Sequence, residues 1–220
     1  MKSPNFNDRP AGTPIDMLVI HYTGMPSAEA ALTRMCDPKA EVSAHYMIDE
    51  AGAVSTLVAE EKRAWHAGLS SWRGESNLNN RAIGIELVNP GHEFGYRPYT
   101  AVQMTSLVVL AKGILSRWPI PPRNVVGHSD VAPRRKQDPG ELFDWHYLSQ
   151  QGIGLWPKPG VAEGDPAALL AAYGYETEEL SASLTAFQRH FRPRLCDGIA
   201  DAETLSLLNG LVTAVTLFAQ

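Results

Sequence analysis

Seven histidines are spread through 220 residues, and two of them stand where they could do chemistry together. His21 and His128 each sit at the carboxyl end of a short apolar run, MLVIHY at 17–22 and NVVGH at 124–128. Such runs read as buried strands, and the carboxyl ends of strands in an open sheet form the rim where ligands are usually held. Asp138 follows His128 by ten residues across the Pro/Arg-rich loop SDVAPRRKQDPG, close enough to fold back onto the same rim. Two neutral imidazoles and one carboxylate make a three-ligand set that leaves a fourth position for water, which is how a catalytic zinc is held. Spacing by itself leaves a purely structural role open for each of the three.

A fourth residue bears on that choice. The β-type apolar run AIGIELV at 82–88 carries Glu86 in its middle. A carboxylate inside an apolar strand costs several kcal/mol to ionise unless it is paired or put to use. Service as a base beside a metal-activated water is one such use. Facing solvent from a half-exposed strand, or pairing with Arg81, are the others. Lys136, two residues before Asp138, could reach the same cavity and stabilise a developing oxyanion, or remain a solvated loop charge.

The elements that must position these residues can be read from pattern. Ser27–Cys36 reads as a short capped helix that stops before Asp37-Pro38. Runs at 44–48 and 53–58 flank Asp49-Glu50-Ala51-Gly52 and predict a hairpin. Thr100–Arg117 opens with a capping-box pattern, Thr100 to Gln103, and places Val102, Leu107, Leu110 and Ile114 on one face. Pro119–Pro122 ends that helix. A short strand at 124–127 leads into His128, and a closing helix is expected over Phe143–Gln150. From Gln151 to Asp165 the composition turns to Gly and Pro, as in a connection between domains. Helices are then expected at 166–173, 178–191 and 202–219, the last capped by Asp201. The expected organisation is a catalytic region over 1–152, a connection over 153–164 and a three-helix module over 165–220. His190 in that module reads as an isolated surface or packing histidine.

Composition narrows the functional classes. With 44% hydrophobic residues the chain can bury a good core, and its formal charge of −5 argues against reliance on a nucleic-acid backbone. Cys36 and Cys196 lack any C-x-x-C spacing, so buried or idle thiols are expected rather than a disulfide or a thiolate metal site. The N-terminal MKSPNFNDRPAGTP has no apolar stretch of the kind an export signal needs, and the expectation is a cytoplasmic protein rather than a periplasmic or envelope one. Leu207–Ala219 is too short to span a bilayer, which takes about 20 residues, so no membrane insertion is expected.

Five segments share a further likeness. VIHYTG at 19–24, SAHYMID at 43–49, AWHAGLSSWRG at 64–74, IGIEL at 83–87 and GHSDVAPRRKQDPG at 127–140 resemble, in order and spacing, the zinc N-acetylmuramoyl-L-alanine amidases of the AmpD and AmiD type. The resemblance covers most of residues 15–150. It implies an α/β fold with a mixed central sheet flanked by helices, Zn2+ on His21, His128 and Asp138, Glu86 as acid/base, and Lys136 on the carbonyl oxygen. It implies hydrolysis of the amide between an N-acetylmuramoyl or 1,6-anhydro-N-acetylmuramoyl group and L-alanine in peptidoglycan or soluble muropeptides.

The WHAG stretch resembles the family's groove lining, which would put Trp65 and His66 on the muropeptide; a packed indole and a structural histidine are the other reading. Tyr46 occupies a position where related phage amidases carry a functional tyrosine. His45, His92 and His146 match no ligand position and read as structural or surface residues. LTAFQRHFRP at 184–193 with DGIADAETLSLLNGL at 197–211 resembles a three-helix peptidoglycan-binding module, which implies wall binding. Two rivals remain: a non-catalytic peptidoglycan recognition protein, in which the metal set is typically missing, and a zinc endopeptidase acting within the stem peptide.

Overall fold

A computed structural model describes residues 2–217. Strand β1 (Phe6–Asp8) is short and exposed, whereas β2 (Met17–Tyr22) is buried from Met17 through His21 and becomes an inner strand of the main sheet. Ser27 accepts the Ala30 N–H to open α1 (Ala28–Cys36), which stops at Asp37 as the following proline requires. Strands β3 (Tyr46–Ile48) and β4 (Val54–Thr56) form the expected hairpin over shorter spans, its turn closed by Asp49 Oδ1 accepting from Ala51 and Ala53. Next come β5 (Lys62–Ala64), which pairs with β1, the small hairpin β6 (Ser71–Trp72) and β7 (Glu75–Ser76), and the buried β8 (Ala82–Leu87).

A single turn, α2 (Gly91–Phe94), precedes the long α3 (Ala101–Arg117). Strand β9 (Val125–Gly127) then runs straight into α4 (His128–Val131), and α5 (Trp145–Gln150) closes the first part of the chain. The main sheet has the order β4-β3-β8-β2-β9, parallel except for β4. This is the mixed central sheet expected. Its inner strands are covered on both sides, which is why they read as nearly continuous apolar runs.

Register decides what each face does. Side chains alternate between faces along a strand, and paired residues of neighbouring strands share a face. Leu18, Ile20, Ile83 and Ile85 point to one side and pack with Leu107, Ala111 and Ile114 of α3. Met17, Val19, Ala82 and Val126 point to the other. His21 pairs with Glu86, and Glu86 with Met47, so these too share the second face.

Helix α3 corrects one expectation. Thr100 accepts the Gln103 N–H as foreseen, but Val102 is 57% exposed and Gln103 is buried in its place. Instead of closing the capping box, the Gln103 amide donates to the Ile48 and Val88 carbonyls (3.1 and 3.0 Å). Two carbonyls near the sheet's end thereby gain a donor, which outweighs burying a valine.

The three late helices are α6 (Pro166–Tyr173), α7 (Leu180–Phe191) and α8 (Ala202–Leu217). The expected end at Ala219 lies outside the described residues. Asp201 caps α8 by accepting the Thr204 N–H. The apolar residues of these helices do not stand apart: Leu170, Tyr173, Phe187 and Leu208 join Met17, Val19 and Val126 in one cluster. The Gly/Pro-rich connection is tied to α8, with Gly160 N–H donating to the Ser206 carbonyl and the Asn209 amide donating to the Val161 and Glu163 carbonyls. Gly210 permits this approach, since a Cβ there would fall 1.8 Å from the Lys158 carbonyl oxygen. Cys36 and Cys196 are free and half-buried. No helix among the described residues is long and apolar enough to cross a membrane.

One buried carboxylate ties α3 to the sheet. Glu60 accepts from Arg117 Nε (3.0 Å) and Nη2 (2.6 Å), from the Trp118 indole (2.6 Å) and from the Tyr46 hydroxyl (2.7 Å). Burial would raise its pKa, but these donors outweigh burial and hold it at about 2. A carboxylate held low in the folded chain adds stability above its ordinary pKa near 4.5 and loses it as pH falls towards 2. Thermal melts of Glu60→Gln should show a lower midpoint at pH 7 and a gap to wild type that narrows between pH 4.5 and 2; a constant gap would contradict the pairing.

Candidate active site

At the carboxyl ends of β2 and β9 three donor atoms converge. His21 Nδ1 lies 3.0 Å from His128 Nδ1 and 3.0 Å from Asp138 Oδ2, and His128 Nδ1 lies 3.1 Å from the same oxygen. All three residues are buried. The loop returns Asp138 to His128 through the Ser129 N–H, which donates to the Asp138 carbonyl (2.9 Å).

The outer nitrogens offer each ring proton a place that leaves the inner nitrogen free. His128 Nε2–H donates to the Ala67 carbonyl (3.0 Å), which leaves Nδ1 as a lone pair. His21 Nε2 meets His66 Nδ1 at 3.1 Å, and donation from His21 there leaves its Nδ1 unprotonated too. Burial, and next the neighbouring His128, hold the His21 imidazole down to about 4.

Two imidazole lone pairs and a carboxylate oxygen so close together, away from water, repel one another unless a cation lies between them. With zinc bonds of 2.0–2.1 Å, tetrahedral ligands sit about 3.3 Å apart, close to the spacing here. The donor set fits a zinc ion.

Glu86 is one strand away, beside His21 in register. Its Oε2 is buried and has no hydrogen-bond partner among the described residues, and its side chain borders a cavity of about 50 Å³ lined also by Thr23, Met25 and Arg34. Pairing with Arg81 is ruled out, because that guanidinium holds Asp16 through Nε (2.7 Å) and Nη2. Burial, and next the charge of Asp138, push the Glu86 carboxyl well above its ordinary value, while Lys136 opposes the shift. A carboxyl raised in this way holds a proton more readily than an ordinary carboxylate, as a group that takes up and passes on a proton must. Half-buried Lys136 is near enough for its charge to act on both Glu86 and His21.

The other expected contacts divide. His66 is buried over Gly84 on the site face, where a Cβ on Gly84 would fall 2.5 Å from the ring. It stands behind His21 rather than open to a groove, with Nε2 lacking a partner among the described residues. Trp65 is half-buried, and its indole donates to Asn7 Oδ1 (3.1 Å). Tyr46 is not brought to the site. It pairs with Ile85, faces the α3 side and gives its hydroxyl to Glu60. Alternation along β3 puts Met47, not Tyr46, on the face of Glu86.

Some residues escaped the sequence reading. Asn79 accepts both the His66 and Ala67 N–H groups (3.1 and 2.8 Å), fixing the loop whose carbonyl sets the His128 tautomer. Nothing in the string NLNN distinguishes it. His45 is structural as expected: Nδ1 accepts the Gly84 N–H and Nε2 donates to the Lys62 carbonyl. His190 is not isolated, since it is buried with Nδ1 2.7 Å from Asp130 Oδ2.

Comparison with known proteins agrees with this geometry. Residues 11–141 match the family described as N-acetylmuramoyl-L-alanine amidase. The chain is 40% identical to N-acetylmuramoyl-L-alanine amidase AmiD of Escherichia coli K12, over 90% of its own length and 82% of the relative's. It is 37% identical to 1,6-anhydro-N-acetylmuramyl-L-alanine amidase AmpD of Haemophilus influenzae, over 68% of this chain and 89% of that one. Among solved structures, AmiD of E. coli in complex with its substrate anhydro-N-acetylmuramic acid-L-Ala-D-γ-Glu-L-Lys superposes with a TM-score of 0.83 at 39% identity, covering 93% of this chain and 91% of the other. AmpDh3 of Pseudomonas aeruginosa gives 0.83 at 36% identity, covering 94% of each. A pattern spanning more than half of the chain and a relative this similar place the protein in the N-acetylmuramoyl-L-alanine amidase family.

Proposed function

We propose that the chain is a zinc amidase that hydrolyses the bond between the lactyl carbonyl of N-acetylmuramic acid, or its 1,6-anhydro form, and L-alanine, in peptidoglycan or soluble muropeptides. The observation that carries this is the unpaired buried oxygen of Glu86 beside three converging donors. A recognition protein would have no use for either. Support for the substrate comes from AmiD and AmpDh3, solved with an anhydromuramic tripeptide and an anhydromuramic pentapeptide respectively.

His21, His128 and Asp138 would hold the zinc, which when bound supplies Lewis acidity, making a water more acidic and a carbonyl carbon more electrophilic. Glu86 takes the proton of the attacking water and delivers it to the departing alanine nitrogen. Lys136 places its ammonium against the carbonyl oxygen as negative charge develops there. His66 holds the His21 tautomer from behind, and Trp65 offers an indole edge to the muropeptide. The products are the muramyl sugar and an intact stem peptide. Residues 165–220, after the catalytic region 1–152 and the connection 153–164, would add wall affinity; the likeness to AmiD and AmpDh3 over more than nine tenths of the chain supports a shared role for them.

Glu86→Gln should still bind one zinc per chain by metal analysis but lose about 10²–10⁴-fold in turnover of anhydro-muropeptide. Full activity in that variant would refute the assignment. Mass spectrometry of wild-type digests should show free intact stem peptides, whereas shortened stems still on sugar would mean an endopeptidase. Gly84→Ala should drive His66 off its seat, costing about 1–3 kcal/mol of stability and about tenfold in zinc affinity. Thermal melting of the metal-free protein and chelator competition measure the two, and unchanged zinc affinity would remove His66 from the support of His21.

A further inference from the structure

The chain between His128 and Asp138 is gripped from outside by α7. Asp130, two residues after His128, is 1% exposed, and its carboxylate receives three hydrogen bonds. One comes from the Gly127 N–H (2.7 Å), the residue immediately before His128. The others come from the Tyr175 hydroxyl (2.6 Å) and His190 Nδ1 (2.7 Å), both beyond residue 165. A carboxylate this deeply buried must be compensated by its neighbours. Two of its three donors belong to the C-terminal part of the chain.

The His190 ring has little freedom. It lies parallel to the Trp145 indole, with ring centres 3.9 Å apart and planes 16° apart, so the direction of its Nδ1–H is set by packing. The preceding residue reaches the other flank of the same loop, with Arg189 Nε 3.5 Å from Glu141 Oε2, three residues past Asp138. Adjacent residues of one helix therefore contact the chain shortly after His128 and shortly after Asp138, the two donors that this loop supplies.

We propose that the C-terminal part of the chain positions the metal site, with His190 of α7 and Tyr175, which lies between α6 and α7, acting through Asp130 on the Val126–Gly127 peptide to fix the backbone leading into His128 and hence the direction of His128 Nδ1. The proposal rests on reading His21, His128 and Asp138 as metal ligands. It gives the C-terminal helices a part in the chemistry that wall binding does not include. His190 and Tyr175 touch neither substrate nor metal; they are positioning residues.

The test uses the full-length protein. His190→Phe keeps a flat ring against Trp145 and removes the donor; Tyr175→Phe removes one hydrogen bond at nearly constant shape. Zinc affinity is measured by chelator competition, ligand geometry by the visible spectrum of the cobalt-substituted protein, and kcat and KM on anhydro-muropeptide, alongside melting of the metal-free protein. His190→Phe should weaken zinc binding about tenfold, in the range seen when groups supporting metal ligands are removed. It should also shift the cobalt bands and lower kcat with KM little changed. Tyr175→Phe should do the same to a smaller extent, and His190→Asn, which restores a donor, should recover part of the loss. If both phenylalanine variants keep wild-type zinc affinity and cobalt spectrum, the proposal is wrong even where their melting points fall. Should His190→Phe not fold, the Tyr175→Phe result decides. A wild-type chain that binds no zinc would instead overturn the reading of the site, and this proposal with it.

Discussion

Three acceptor atoms held 3.0–3.1 Å apart, nearly out of contact with water, are an electrostatic liability in any protein without a cation among them. Much of the surrounding structure keeps them there. The Ala67 carbonyl takes the outer proton of His128, His66 meets the outer nitrogen of His21, and the Ser129 N–H fastens Asp138 to the turn after β9. The supports are themselves supported: Asn79 fixes the loop of His66 and Ala67, and the absence of a Cβ at Gly84 makes room for the His66 ring. Support of this depth is what a metal site needs if its ligands are to stay in place with no ion to hold them.

Stability and chemistry are divided between the two faces of the sheet. The α3 side is mainly apolar, and the polar groups buried in it, the Glu60 carboxylate and the Gln103 NH2 among them, are hydrogen-bonded. The other side carries every residue assigned to the reaction from β2 and β8, and its inner part is covered by α6, α7 and α8 rather than by solvent. The late helices thus complete a core as well as forming a surface. Their link to Asp130 follows from that position: a layer packed against the sheet lies next to the loops at the sheet's end.

Much of this was legible in the sequence because short-range signals decided it. The apolar runs gave up their strands, Ser27, Thr100, Asp201 and the Pro-rich breaks marked helix ends, and a carboxylate in an apolar strand pointed to Glu86. What failed depended on neighbours distant in the chain. Tyr46 is assigned to its face by pairing with Ile85, and Val102 lost its place because Gln103 had two carbonyls from other elements to satisfy. His190 looked isolated because its partner lies 60 residues earlier. Asn79 and the tautomer-setting carbonyl of Ala67 leave no mark in composition or period at all.

The central claim is that the two Nδ1 atoms and one Asp138 oxygen enclose a zinc ion, with the ring protons directed outward. X-ray diffraction from crystals of the full-length protein grown with zinc, recorded on both sides of the zinc absorption edge, tests it directly. The account predicts one strong anomalous peak within bonding distance of His21 Nδ1, His128 Nδ1 and Asp138 Oδ2, with no thiolate near it. A peak bound through Nε2 of either histidine, or none between these three residues, would contradict it.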